Sequence, residues 1–357
     1  MSRLVMAVLA VVGAATAFGQ AKAVPALAVV GPGTWSAAPA MSAHRRADTA
    51  TLLLDGRVLV AGGCVSACTA ADAVASAEVY NQITNTWSSV CNMATARYIH
   101  RAVLLASGKV LIVGGVGTGG LPLASAELFD PGTNCWSPAG DMSTSRSTPT
   151  ATRLASGKVL VAGGYNGLTV SSADLYDPAA NSWSATGSMS TVRTQHIAAL
   201  LPSGKVLVAG GANNICCVWS TAELYDPASQ TWSPAASMSA LRNEAASATL
   251  TDGRILVVGG RGASYVLLAS AEIYDPVANT WSSAGVMATP RFYHGVTRLW
   301  NGMVLIAGGL TDPDGSTATA EVYDPGSNSW GATGSMSATR VEPWLTLLQS
   351  GKVLVTG

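Results

Sequence analysis

The sequence predicts an all-β fold in which one four-stranded unit is written repeatedly and closed into a ring. Three observations predict it. Trp35, Trp87, Trp136, Trp183, Trp232, Trp281 and Trp330 recur at intervals of 47 to 52 residues. Each is followed six residues later by a methionine (Met41, Met93, Met142, Met189, Met238, Met287, Met336), and 21 residues after each methionine stands a glycine, doubled in six units. All the variation in unit length falls between that diglycine and a following acid, in segments of 14, 11, 9, 11, 11 and 11 residues. A segment that changes length between fixed flanks is a surface loop. A period near 50 residues marks a stacked or radial repeat, because one such unit cannot bury its apolar faces alone.

Within a unit the elements follow in order. Four residues after the methionine comes an arginine: Arg45, Arg97, Arg146, Arg193, Arg242, Arg291 or Arg340. It opens a first apolar run that ends in a two-residue turn such as Asp55-Gly56, Asp252-Gly253 or Asn301-Gly302. Such pairs signal a hairpin, since glycine adopts positive φ at no steric cost. A second apolar run, as in KVLVAGG, ends at the diglycine. A third is built on the acid (Glu78, Glu127, Asp174, Glu223, Glu272, Glu321) and stops in most units at Asp-Pro. Proline starts a turn there and cannot continue a central strand. The fourth carries the tryptophan. Four strands per unit at this period predict a β-propeller. The seventh unit supplies only two strands, near residues 342–348 and 352–356, and residues 26–30 with Trp35 supply the complement. The expectation is seven four-stranded antiparallel blades over residues 24–357, the last closed by strands from both termini, which leaves no sheet edge exposed. A fragment of a longer repeat array is the alternative.

Diglycine, then tyrosine, then tryptophan at this spacing resembles the kelch repeat. The wording LLPSGKVLVAGG…AELYDP…TWSPAASMS is similar to bacterial secreted kelch proteins and to the kelch propeller of the galactose oxidase group, over roughly residues 35–357. The resemblance implies the fold and leaves function to the individual site. RFYHG at 291–295 resembles the motif that supplies two copper ligands in galactose oxidase, which would make Tyr293 and His294 that pair. No cysteine occupies an inner-strand position for the family's Cys–Tyr cross-link, and the sequence holds no carboxy-terminal domain with a further histidine. No copper or other cofactor is therefore expected. Some kelch propellers are sugar mutarotases or epimerases with an acid at the channel mouth. That precedent points to Glu244 and Glu342, with Gln195 and Tyr293 at the same repeat position.

Composition narrows the partners. Only 11% of residues are charged and the formal net charge is zero, against about 25% charged in an average domain. With no basic stripe, nucleic acid is excluded as a partner. Arg3, the apolar stretch 4–18 and the small residues after it read as a signal peptide over residues 1–23. The mature chain is expected in the secreted, periplasmic or cell-surface space, without a membrane anchor and as a monomer. Six cysteines fit that compartment. Cys64, Cys68 and Cys91 are expected to share one bridge, Cys216 and Cys217 to form a vicinal or intermolecular bond, and Cys135 to stay free.

The repeated arginines and acids are expected to be structural ion pairs, since residues that recur in every unit serve the framework. Ala26 stands where the seventh acid would fall. His100, His196 and His294 come seven residues after a methionine, with Asp48 at the same position in the first unit. They are expected to ring the channel mouth, too far apart, on alternate blades, to share a metal. The stretch 312–315, DPDG, offers carboxylates for calcium but is expected to be a turn. No nucleophile motif, phosphate loop or Asp-box is present. The expected function is a binding scaffold for a protein or glycan through the variable loops, with Tyr165, Trp219 and Tyr265 as exposed contacts. Gln195, Glu244, Tyr293 and His294 form a second candidate cluster. The alternative is a carbohydrate-active enzyme of the galactose oxidase-like or mutarotase type, with its site at the channel mouth.

Overall fold

A computed structural model describes residues 27–29, 33–311 and 315–357. The signal-peptide stretch 1–23 and residues 312–314 of the DPDG turn lie outside the described residues. Among the described residues the regular elements are strands apart from two three-residue 3-10 turns, Ala70–Asp72 and Ala263–Tyr265, and the strands form four-stranded antiparallel sheets. Six of these are blades made from continuous stretches of chain. The sixth serves as the example: Gly295–Arg298, Val304–Ala307, Ala320–Asp324 and Ser329–Ala332 pair in sequence order. A further sheet closes the ring from both ends of the chain, in the order Trp35–Ala37, Leu27–Val29, Val353–Thr356, Trp344–Leu347. The first strands of successive blades contact one another around the axis, and Trp344–Leu347 contacts both Gly295–Arg298 and Thr49–Leu52. Among the described residues no helix is long and apolar enough to cross a membrane.

The second strand of every sheet is buried on both faces. This is why those strands read as unbroken apolar runs rather than alternating ones. The core lies between neighbouring sheets. Leu59, Ala61 and Val79 of the first blade, for instance, pack against Val110, Ile112 and Phe129 of the second.

Two repeat residues staple this stack. Each of Trp87, Trp136, Trp183, Trp232, Trp281 and Trp330 packs on the aromatic ring of the third strand of its own blade, with centroids 5.0 to 5.2 Å apart. Its indole N–H donates to a carbonyl at the end of the preceding unit: Trp87 to Pro39 (2.9 Å), Trp183 to Ala139 (2.8 Å), Trp232 to Gly187 (2.7 Å). One large apolar side chain thus fills the outer edge of a blade while its polar atom fixes the connection beside it.

The cysteines pair as Cys64–Cys68, Cys91–Cys135 and Cys216–Cys217, and none is free. This corrects the expectation for Cys135. The connection that follows the first blade runs beside the outer strand of the second, so the Cys91 N–H donates to the Asn134 carbonyl at 3.1 Å and Cys91 meets Cys135 across the inter-blade seam.

Candidate binding face

The repeated arginine explains the diglycine. Arg97 is fully buried; its Nη1 donates to the carbonyls of Gly114 and Ser125, both at 2.9 Å, and its Nη2 meets Glu127 Oε1 at 3.0 Å. Glu127 in turn accepts the backbone N–H groups of Ala94 (2.7 Å) and Thr95 (3.1 Å). One pair therefore fastens the linker, the start of the loop and the third strand. The same pair recurs as Arg45–Glu78, Arg146–Asp174, Arg193–Glu223, Arg242–Glu272 and Arg291–Glu321, each buried, at 2.6 to 3.2 Å. In the seventh unit Arg340 donates to the Gly357 carbonyl. No room is left in these pairs for a ligand.

The histidines do not ring the mouth. They are buried between blades, each against the first glycine of the preceding diglycine: a Cβ on Gly62, Gly163 or Gly259 would stand 2.6, 2.6 or 2.8 Å from the Cε1 of His100, His196 or His294. His100 Nε2 shares a 3.0 Å hydrogen bond with Thr49 Oγ of the previous blade, and His196 does the same with Thr150. Burial and the adjacent arginine push His196 and His294 down to about 3, so both stay neutral. Asp48, at the equivalent position, is pushed up to about 7 by burial, against the pull of Arg45.

The residues that meet around the axis lie one position earlier: Ala47, Ile99, Thr148, Gln195, Glu244, Tyr293 and Glu342. All seven hold left-handed backbone, with φ between 48 and 56°. That kink turns the following side chain away from the axis, which is why the histidines point between blades. Backbone bonds tie four of the seven seams of this ring: Ile99 N–H to Ala47 O (2.9 Å), Thr148 to Ile99 (3.2 Å), Glu244 to Gln195 (3.1 Å), Glu342 to Tyr293 (2.9 Å). On the polar arc of this mouth, Gln195 Nε2 donates to Tyr293 Oη at 2.8 Å and Tyr293 donates to Glu244 Oε1 at 2.7 Å. Arg261 completes the chain, its Nε donating to Glu244 Oε2 and its Nη2 to Glu244 Oε1. The structure thus joins Gln195, Glu244 and Tyr293, while His294 is turned away from them against Gly259. Burial beside Glu244 and Glu342 holds the Tyr293 phenol well above its usual range. Burial also raises Glu342, with Arg46 and Arg101 pulling the other way. Arg46, Arg101 and Arg261 escaped the sequence reading. Arg261 had a signal: it follows the diglycine directly, at a position that bridges back to Asn243 beside Glu244.

The variable loops project on the face where the linkers run. Each is anchored by the same two isolated bridges: Tyr98, Val116 and Pro122 in the second blade, Thr194, Ala212 and Val218 in the fourth, Asn243, Arg261 and Leu267 in the fifth. Beyond the anchor the tip closes on itself, with Gly117 N–H donating to Leu121 O (3.1 Å), Asn213 to Cys217 (2.9 Å) and Gly262 to Val266 (2.8 Å). Of the three aromatics expected to be exposed, Tyr265 is, at 67%. Trp219 is half-buried, because its indole N–H reaches back to the Val192 carbonyl at 3.0 Å. Tyr165 is half-buried as part of a bridge to Ser147 and Thr169. Among the described residues no cluster of three His, Cys, Asp or Glu is placed to hold a metal ion.

Comparison with known proteins agrees with this architecture. The Kelch motif profile matches residues 45–94, 99–143, 151–190, 195–239 and 245–287. An F-box/kelch-repeat protein of Arabidopsis thaliana is 40% identical over 86 residues, 23% of this chain and 21% of that protein. The chain thus spans about a fifth of that relative's length. A fungal alcohol oxidase of the AA5 family, solved in complex with copper, superposes with a TM-score of 0.75 over 91% of this chain and 76% of its own, at 17% identity. At that identity the likeness is one of fold.

Proposed function

The chain belongs to the kelch-repeat family, and from that premise we propose that it is an exported interaction scaffold: a ring of seven blades, the last composite, that binds another protein through the loop tips of one face. The observation that carries this reading is the division of labour within each unit. Arginine, acid, diglycine and tryptophan are consumed by the framework, and the same two bridges anchor each loop. The tips beyond the bridges are therefore held still while their residues and lengths differ, which is how rigid scaffolds carry individual binding sites. Export is supported by the composition of residues 1–23 and by three disulfides, which persist in oxidising compartments.

The test is a paired screen of the immobilised mature chain against a displayed peptide library and a glycan array. Peptide binding that is lost when residues 117–121 and 262–266 are replaced by Gly-Ser of equal length supports the scaffold. A second reading, a carbohydrate-active site at the channel mouth, rests on the polar network of Gln195, Tyr293, Glu244 and Arg261. It predicts a glycan signal abolished by Glu244→Gln and untouched by the loop replacements, and that outcome would displace the scaffold reading.

A further inference from the structure

The loop face is not uniform. Leu121, Leu168, Ile215, Tyr265 and Val266 are 61 to 73% exposed, and they sit at the tips of four consecutive loops, on the second to fifth blades. Among the described residues the loops of the first and sixth blades expose no large apolar side chain. Of the other exposed apolar side chains, Leu54, Ile83, Val277 and Trp300 stand on hairpin turns of the opposite face, while Leu241 lies on the linker beside the fifth loop and Val286 ends the outer strand of the fifth blade. Isolated exposed apolar residues need no explanation, but a run of them along one arc marks an interaction site.

The tips are built to hold these side chains out. Ser264 and Tyr265 are consecutive non-glycine residues with φ of 53 and 60°. Such backbone is costly for a residue with a side chain and clusters where function needs it. The Arg261 guanidinium lies under Tyr265, 5.2 Å from its ring centre, and over Phe292 at 4.3 Å. Beside Ile215, Asn213 Oδ1 accepts the N–H groups of Ile215, Cys216 and Cys217 at 2.9 to 3.2 Å, and the Cys216–Cys217 bond closes the tip. Asn214 and Thr169 lock that tip to its neighbour: Thr169 Oγ donates to Asn214 Oδ1 at 2.7 Å, and Asn214 N–H donates back at 3.0 Å.

Charge says what fits. Arg261 is the only charged residue in the four loop segments 116–126, 165–173, 212–222 and 261–271, and Glu244 already pairs with it. Resting on the scaffold reading above, we propose that the arc from Leu121 to Val266 docks an extended, uncharged, apolar segment of a partner protein. Apolar and aromatic side chains of that segment lie against successive tips, and no ion pair contributes. Affinity is then insensitive to salt, since screening acts on charges alone.

The experiment selects displayed random peptides on the immobilised mature chain. The expected winners carry several large apolar or aromatic residues and no net charge, and bind equally in low and high sodium chloride. Ile215→Asp and Tyr265→Asp should each weaken them by ~10-fold or more, as for anchors at an interface centre. Val277→Asp, on the opposite face, should change nothing; unchanged far-ultraviolet circular dichroism and melting show that each variant is folded. Charged winners that weaken with salt yet still lose binding in the Gly-Ser loop replacements would overturn the apolar arc and leave the scaffold standing. Winners indifferent to every loop change would overturn both.

Discussion

Asp174 offers the sharpest test of why six units keep an ion pair inside the fold. Its carboxylate and the Arg146 guanidinium are both fully buried, 2.6 Å apart. Asp174 also accepts the Ser143 N–H at 3.2 Å, and Arg146 also holds the Gly163 and Ser172 carbonyls at 2.9 and 2.8 Å. Asp174→Ala leaves a guanidinium in the interior with neutral acceptors and no counter-charge. Breaking a buried pair from one side costs about 3–5 kcal/mol, a large share of the about 5–15 kcal/mol that a folded domain commands. The double variant Arg146→Met/Asp174→Leu removes both charges and fills their volume, so the charge penalty disappears. It still strands the Gly163 carbonyl and takes one of two donors from the Ser172 carbonyl, which keeps the Gly163 N–H at 3.1 Å, at about 1–2 kcal/mol together. Urea denaturation followed by circular dichroism should therefore rank wild type, double variant and single variant in that order, with the double about 1–2 kcal/mol below wild type. A loss under about 1 kcal/mol for Asp174→Ala would refute the reasoning. So would a double variant as stable as wild type, because the arginine's carbonyl contacts would then contribute nothing.

Three further outcomes follow from single side chains. Asp48, 2% exposed and faced by Arg45, Arg340 and Glu342, has its carboxyl raised from 3.8 to about 7, first of all by burial. A raised folded-state value favours the protonated native form. Its contribution is fully present below pH 3.8 and lost as pH rises through 7, about 4 kcal/mol at 1.36 kcal/mol per unit. Asp48→Asn should flatten that part of the melting profile and raise stability above pH 7; an unchanged profile would count against the assignment. Gly163→Ala should cost more than about 3 kcal/mol in denaturant, since φ is +64° and the new Cβ would stand 2.5 Å from the Arg193 carbonyl, which is backbone and cannot move aside. Trp232→Phe keeps the ring packing but loses the 2.7 Å bond to the Gly187 carbonyl, so about 1 kcal/mol should disappear; no change would mean that water replaces the indole.

What the sequence made legible is what the repeat enforces. Arginine and acid could be paired on paper because one buried charge demands another wherever the unit recurs, and the turn glycines declared their own φ. The mouth was less legible. Its seven left-handed positions carry Ala, Ile, Thr, Gln, Glu, Tyr and Glu, with no glycine to advertise the kink, so counting along the strand aimed His100, His196 and His294 at the axis. Trp219 looked like a displayed aromatic because its indole partner, the Val192 carbonyl, lies 27 residues away in sequence. The Cys91–Cys135 bridge was hidden for the same reason: strand counting separates the faces on which the two cysteines stand, and only the course of the linker beside the next blade's outer strand brings them together.

The mouth ring carries a consequence for how this chain can vary. A non-glycine residue in left-handed backbone is costly, yet seven units adopt it with side chains from alanine to tyrosine. Side-chain chemistry therefore cannot be what holds the kink. Cross-blade backbone bonds, such as Ile99 N–H to Ala47 O and Glu342 N–H to Tyr293 O, are common to the small and the large residues alike, and each of the seven donates or accepts one. Such a position can vary its side chain from alanine to tyrosine at a similar backbone cost. The loop tips share that freedom, each closed by a main-chain bond beyond its anchoring bridges. The mouth and the loop tips both vary between units, and both open on the same face. A ligand contacting the tips of the second to fifth blades would lie beside the Gln195–Tyr293–Glu244–Arg261 network, with Arg261 touching Tyr265 on one side and Glu244 on the other. Tyr293→Phe, which cuts that network without altering any loop, should therefore loosen Arg261 and weaken binding at Tyr265 more than at Leu121, a difference that peptide affinities measured on the Tyr265→Ala and Leu121→Ala backgrounds would resolve.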